Sequence, residues 1–346
     1  MNKEKKHILY FDLLNIIACL CVIYMHCNSA VHTYSNTRVW KESLLVEVVA
    51  YWAVPIFFML SGATLMEYRN KYNTKTYFKK RIFKTFVPFI VWNIFILIEK
   101  GLVEKTIELG SIKFTTLIDM ILNSKIESIY WFFIPLFMIY LSIPILAQLK
   151  GNLKVLTYMV GIGIVTYSIL PFIMSIMNIQ FNTNLNFPLT SGYIIFVIVG
   201  YLLSKIDLSN KSRYLIYLGG VIGIVIRYGM TYTLSIRDGQ LNKMSWGYLN
   251  LPSVLLAVAV FTLFKYIKWD KIFKTEKIKD IIRKISGASF GVYLIHMLVI
   301  RGLLHYFGWN TLGWKWRYGG AVIVYVCALT IVLLMKKIPL IKRIVP

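Results

Sequence analysis

An aspartate, an asparagine and a histidine interrupt one long apolar run near the N-terminus: Asp12, Asn15 and His26 in FDLLNIIACLCVIYMH. Polar and ionisable groups are expensive in such a setting and mark candidate sites. On a helix, the step from Asp12 to His26 is close to four turns and that from Asn15 to His26 about three, so all three share a face. At ~1.5 Å per residue, Asp12 and His26 stand roughly 21 Å apart along the axis. A polar stripe of that length suggests a cavity or conduit. With an ordinary pKa of about 6.5, His26 suits general-base proton transfer; a hydrogen-bonded histidine at an interface is the plainer reading. Asp12 suits an ion pair between helices, and His32, beyond the run, is expected to be solvated.

Further along, His296 lies within another apolar run, with Tyr293 one turn before it. Arg227 and Arg301 also fall inside apolar runs, and each needs a carboxylate, a carbonyl or a water-filled cavity nearby. Glu47 and Glu99 suit interfaces. Arg69, Lys71, Lys75, Lys79, Lys80 and Arg81 crowd residues 68–81, with Lys84 just beyond, and a second basic cluster occupies 268–286. Such clusters serve as topology determinants and contacts to anionic lipid, or hold the phosphates of a cofactor.

These residues need elements to position them, and composition decides which kind. Of 346 residues 58% are hydrophobic and 16% charged, with mean hydropathy +0.64. A soluble domain is about 45–50% apolar and about 25% charged, so a water-soluble globular protein is excluded. The net charge of +24 is not a nucleic-acid footprint, because the basic residues sit in short clusters between apolar runs, the pattern of a polytopic membrane protein. The four cysteines (Cys19, Cys21, Cys27, Cys327) all lie in apolar runs and read as small core residues.

A crossing takes about 20 apolar residues, and ten candidate spans follow: 8–30, 44–67, 82–99, 129–149, 155–177, 188–204, 214–235, 250–267, 287–304 and 318–335. Period-two alternation is absent, which argues against a β-barrel, so the fold class expected is an all-α polytopic membrane protein. Alternate loops, starting with the N-terminus, hold 25 of the 39 Lys and Arg residues against 10 in the other set. The richer set is cytoplasmic, so both termini are expected there. The opening MNKEKKH followed by an apolar run looks like a signal peptide, but without a convincing cleavage signature it reads as a retained first span. FTTLIDMIL, within the outer loop 100–128, reads as a short interfacial helix. Trp52, Trp92, Trp131, Trp309, Trp314 and Trp316 read mostly as an interfacial belt. One domain spans 1–346, with no separate soluble domain, no Walker loop, no dinucleotide fingerprint and no metal site. The Lys-, Ile- and Asn-rich composition suggests a low-GC bacterium and its plasma membrane.

Taken in order, these segments resemble the integral-membrane acyltransferase-3 family. Its opening Asp-x-x-Arg, followed after ten residues by His, is matched by Asp12 and His26, with Asn15 at the arginine position. VPIFFMLSGATLM (Val54 to Met66) looks like the family's Pro-x-Phe-Phe-x-x-Ser-Gly segment. FKKRIFKTFVPFIVW (Phe78 to Trp92) is similar to its basic loop leading into a third span, with Arg81 and Lys84 where the family often has two arginines. YWFFIPLFMIYLSIP and SGYIIFVIVGYLL are similar to its middle spans, and SFGVYLIHMLVI (Ser289 to Ile300) to its late Ser-x-Gly-x-Tyr-Leu-x-His signature.

The resemblance implies transfer of an acyl group, usually acetyl from acetyl-CoA, to a hydroxyl or amine of an extracytoplasmic glycan, glycolipid or similar acceptor, with no metal and no nucleic acid involved. It places the donor's phosphates at Arg81, Lys84, Lys79 and Lys80, near Asn15. His26 then acts as base or carries the acyl group. Ser61, Tyr293 or His296 meets the developing oxyanion, and Asp12 belongs to the same stripe. Asparagine at 15 lacks the fork and fixed charge of arginine, which opens an alternative: a transporter or exporter of a polysaccharide or small solute with the same membrane fold. Contact with the lipid bilayer is expected on either reading, and the sequence leaves a homo-oligomer open.

Overall fold

The structure, a computed structural model, describes residues 8–346. The basic N-terminal stretch 1–7, which enters the topology count and the signal-peptide comparison, lies outside the described residues. No strand occurs among the described residues, and fifteen α-helices follow in order. They are α1 (Leu9–Cys27), α2 (Arg38–Ala50), α3 (Ala53–Leu65), α4 (Thr74–Arg81), α5 (Val87–Leu102), α6 (Phe114–Leu122), α7 (Phe133–Leu146) and α8 (Leu153–Ile164). After them come α9 (Leu170–Ile176), α10 (Ile194–Lys205), α11 (Asn210–Asp238), α12 (Leu251–Tyr266), α13 (Trp269–Ile272), α14 (Glu276–Phe307) and α15 (Ala321–Met335).

Eight continuous helical stretches among the described residues are long and apolar enough to cross a membrane. They are α1, Arg38–Asn70, Thr74–Leu102, Ser128–Leu149, Leu153–Ile176, α11, α14 and Trp316–Met335. The remaining two expected spans, 188–204 and 250–267, form the shorter apolar helices α10 and α12.

The helices outrun the apolar segments wherever a polar cap starts them early. Thr275 Oγ1 accepts from Ile278 N at 3.4 Å, so α14 begins eleven residues before the expected span. Much of the supposed basic loop 268–286 is therefore helix. Likewise Asn73 Oδ1 accepts from Thr76 N at 2.9 Å, starting α4 inside the supposed loop 68–81. That helix runs through a π-turn at Ile82–Phe86 into α5. Side-chain caps of this kind satisfy amides that a helix start leaves open. Gly239 (φ 64°) and Gly308 (φ 58°) end α11 and α14 in the left-handed conformation that glycine adopts without strain. The FTTLIDMIL segment is α6, with Phe114, Ile118 and Leu122 exposed along one side.

Helix α10 sits at the centre: every residue from Ile195 to Leu202 is buried, as expected of a helix apolar all round. It packs on α3 through two glycines. A Cβ at Gly62 would stand 1.8 Å from Val197 O, and one at Gly200 2.1 Å from Met59 O. Small residues that let backbones touch are how membrane helices associate without a hydrophobic driving force. Around this pair lie α1, α7, α8 and α12, with α14 and α15 packed on α1, while α11 shows Leu218, Val221 and Val225 outward.

Both arginines find partners, although Nε and Nη2 of the buried Arg227 have none. Arg301 on α14 meets three carboxylates, Glu99 at 3.2 Å, Glu104 at 2.7 Å and Glu127 at 2.8 Å. Arg227 on α11 donates to Ser253 Oγ at 2.9 Å and Ser245 O at 3.3 Å, and lies 3.3 Å from the centroid of the Tyr51 ring. The tryptophan belt is corrected in part. Trp52, Trp92 and Trp316 are buried, Trp92 donating to Ile344 O and Trp316 to Cys27 O, whereas Trp314 is exposed. All four cysteines are free thiols.

Candidate active site

Two cavities open at opposite ends of α1. The first, of about 310 Å³, lies toward its N-terminal end and is lined by Asp12, Asn15, Ser61, Arg81, Ser286 and Tyr293 among others. The second, of about 230 Å³, lies toward its C-terminal end; His26, His32, Glu47, Lys243, Trp131 and Tyr248 are in its wall. Phe132 and Tyr293 line both cavities and stand between them. The stripe read from Asp12 to His26 is thus divided into two chambers.

Helices α1 and α14 build most of this arrangement. Asn15 Nδ2 donates to Ser286 O at 2.9 Å and to Ser286 Oγ at 3.1 Å, and Cys19 Sγ approaches Ser289 O at 3.6 Å. Asparagine at 15 therefore joins two helices. Arg81, at the end of α4, supplies a guanidinium to the same cavity. It lies 5.3 Å from the Tyr140 ring centroid and 5.8 Å from that of Tyr77, and its Nε has no hydrogen-bond partner.

Of the other basic candidates, Lys79, Lys80 and Lys84 are exposed and do not line the cavity; Lys80 Nζ sits 4.1 Å above the Tyr72 ring. Lys84 has a neighbour that the sequence reading missed. Lys336, just past α15, donates to Gly287 O at 2.6 Å, and its pKa is lowered by burial and by the nearby charge of Lys84. The two lysines form a basic rim beside Ser286.

The partition is fastened by a reciprocal pair of hydrogen bonds. Tyr293 donates its hydroxyl to Ile129 O, and Tyr130 donates to Leu294 O at 2.8 Å. Together they tie the 3-10 turn Ser128–Phe132 to α14. Ser61 likewise donates to Phe57 O at 2.9 Å. The protons of two of the three candidate oxyanion donors, Ser61 and Tyr293, are thus held by backbone carbonyls.

His296 is fully buried and lines neither cavity, but its ring centroid is 5.3 Å from that of His26. Its Nδ1 is 2.7 Å from Tyr293 O. A carbonyl only accepts, so Nδ1 carries the proton. Nε2 is left with a free lone pair and no hydrogen-bond partner. The two histidines come from α1 and α14, 270 positions apart in the chain.

His32, expected to be merely solvated, forms part of the second cavity's wall against Trp246, ring centroids 5.9 Å apart. Desolvation there and the charge of Lys243 lower its pKa. Trp131, read as a belt residue, is stacked on Tyr248 at 5.6 Å, and Tyr248 on Tyr51 at 4.2 Å, in the same wall. No group of three His, Cys, Asp or Glu side chains suited to a metal ion occurs among the described residues.

An all-helical chain with this many apolar helices, and with ionisable side chains in cavities at both ends of one helix, is a multi-pass membrane protein. It belongs to the acyltransferase-3 family: the family profile, described as an acyltransferase domain, matches residues 8–335, nearly the whole chain. It is therefore a membrane acyltransferase. No curated protein and no solved structure matches it significantly.

Proposed function

We propose that the protein moves an acetyl group from cytoplasmic acetyl-CoA to a hydroxyl of an extracytoplasmic glycan or glycolipid in a bacterial plasma membrane. The observation that carries this reading is the pair of cavities meeting at Phe132 and Tyr293. A donor and an acceptor, one from each side, can then meet without either crossing the membrane. On this reading the chain is one membrane domain with ten crossings, counting α10 and α12, and both termini are cytoplasmic.

The Asp12 cavity takes the donor. Its thioester arm enters beside Asn15 and Ser61, Arg81 supplies the positive charge that position 15 lacks, and Lys84 with Lys336 holds phosphate at the rim. Lys79 and Lys80, exposed on α4, add to the attracting field. Asp12 fixes the cytoplasmic end of α1. At the partition, His26 takes the proton of the acceptor hydroxyl. The oxygen attacks the thioester carbonyl, a C–O bond forms, the C–S bond breaks, and the CoA thiolate leaves with the proton from His26. His296 keeps the His26 ring in place. Tyr293 or Ser61 can meet the oxyanion only by releasing its carbonyl, a hydrogen-bond exchange reserved for the transition state.

An exporter needs one continuous route, and two ring side chains stand across it here, which favours group transfer over transport. The test is acetyl transfer from radiolabelled acetyl-CoA to a sugar acceptor in proteoliposomes. His26→Ala should reduce the rate by about 10²-fold or more, as loss of a general base does, and Arg81→Ala should raise KM for acetyl-CoA. Wild-type rates in His26→Ala would overturn the proposal.

A further inference from the structure

The second cavity contains a carboxylate that the transfer step does not use. Glu47 on α2 is only 4% exposed, is part of the cavity wall with His26, and leaves its Oε2 without a hydrogen-bond partner. Enclosed carboxylates are retained where donors reach them. The charges of Arg227 and Lys243 both act on Glu47, yet neither forms an ion pair with it within 4.0 Å. Arg227 is held away behind the Tyr51 ring by Ser245 and Ser253. Tyr51 in turn is fastened by its own hydroxyl to Trp246 O. Glu47 is thus a buried carboxyl in the cavity wall with one oxygen that no donor of this chain reaches.

Resting on the acyl-transfer reading, we infer that Glu47 is the acceptor-binding residue of this cavity and selects a neutral or anionic polyol over an amine. Its carboxylate accepts from a hydroxyl adjacent to the one acylated, while the Trp131 and Tyr248 rings give the apolar face of the acceptor a surface to rest on. The charge balance decides the class of acceptor. One carboxylate stands against two cations, Arg227 and Lys243, so a further ammonium is repelled, and an uncharged hydroxyl that donates to the carboxylate is not. His26 in the same wall puts the base within the acceptor's chamber.

The experiment reads acceptor binding without any acyl donor, by quenching of tryptophan fluorescence in purified protein, since Trp131 and Trp246 are both in the wall. The probes are glucose, N-acetylglucosamine and, as the cationic comparison, glucosamine. Saturable quenching by the two neutral sugars is expected, with glucosamine at least tenfold weaker. Glu47→Gln, nearly the same in shape, should weaken the neutral sugars about tenfold at an unchanged melting temperature. In transfer assays it should raise the acceptor KM and leave kcat within about twofold. Equal sugar affinity in wild type and Glu47→Gln overturns the assignment, as does no saturable quenching by any sugar. Glucosamine binding as tightly as glucose overturns the charge argument. Sugar binding that depends on Glu47, in a protein that transfers no acetyl group, sinks the acyl-transfer reading instead and leaves the binding residue standing.

Discussion

Adding a single methyl group at Gly200 should separate the two central helices. The Cβ of Gly200→Ala would lie 2.1 Å from Met59 O and 2.4 Å from Met59 Cα, where ordinary contact begins near 3.4 Å. The obstruction is backbone, which cannot rotate aside, so α3 and α10 must part by roughly 1 Å. Overpacking of this kind costs about 1–3 kcal/mol, and a rigid obstacle places the cost at the upper end, about 3 kcal/mol. Gly62→Ala meets Val197 O in the same way from the other helix. Once one substitution has parted the helices, the second meets an open gap. The double variant should therefore cost about 1–2 kcal/mol less than the sum of the singles. Reversible unfolding in mixed micelles measures all three. Single variants within about 0.5 kcal/mol of wild type, or strict additivity, would refute the close-approach argument. Because α3 carries Phe57 and Ser61 in the wall of the first cavity, both singles should also reduce acetyl-CoA binding.

Other expectations follow from single contacts. Arg301→Met leaves Glu99, Glu104 and buried Glu127 facing one another and should destabilise the protein by about 3 kcal/mol, partly recovered by adding Glu127→Gln; denaturant midpoints check both. Tyr130→Phe and Tyr293→Phe each remove one strand of the clasp, at about 1 kcal/mol apiece, and hydrogen exchange should show the turn Ser128–Phe132 opening more in the double variant than in either single. Asn15→Ala should cost about 1–2 kcal/mol by freeing the Ser286 groups, and Asn15→Arg should tighten acetyl-CoA binding by adding a second cation to the donor cavity, read by thermal shift. For His32, whose folded pKa lies below its ordinary value through desolvation and Lys243, the unfolded chain binds the proton first as pH falls through about 6.5. Stability should decline below that pH, and His32→Gln should flatten the decline in melts taken from pH 7.5 to 5.

The helical fold was legible because hydropathy reports membrane burial directly, and the need of Arg301 for a carboxylate, a carbonyl or a cavity follows from the cost of an unpaired charge in an apolar run. The extents of α4 and α14 were not legible, because hydropathy stops where polar residues begin, while a capped helix continues through them. The facing of His26 and His296, the reach of Lys336 to Gly287 and the enclosure of Glu47 all depend on which helices are neighbours, and spacing within one helix carries no such information. Asn15 shows the same limit. Its type reads as a lost arginine, but only the approach of α14 shows that its amide binds Ser286.

The partition at Phe132 and Tyr293 has an electrical consequence. Two chambers that fill with water from opposite ends of α1 would thin the insulating layer between them, and the membrane voltage would then fall mainly across Phe132 and Tyr293. A unit charge carried over that gap would exchange about 2.3 kcal/mol per 100 mV with the field. An acetyl group carries none. On the proposed acetyl-transfer reading, passing that neutral group between chambers draws nothing from the membrane field, so the transfer rate should be the same in energised and collapsed vesicles.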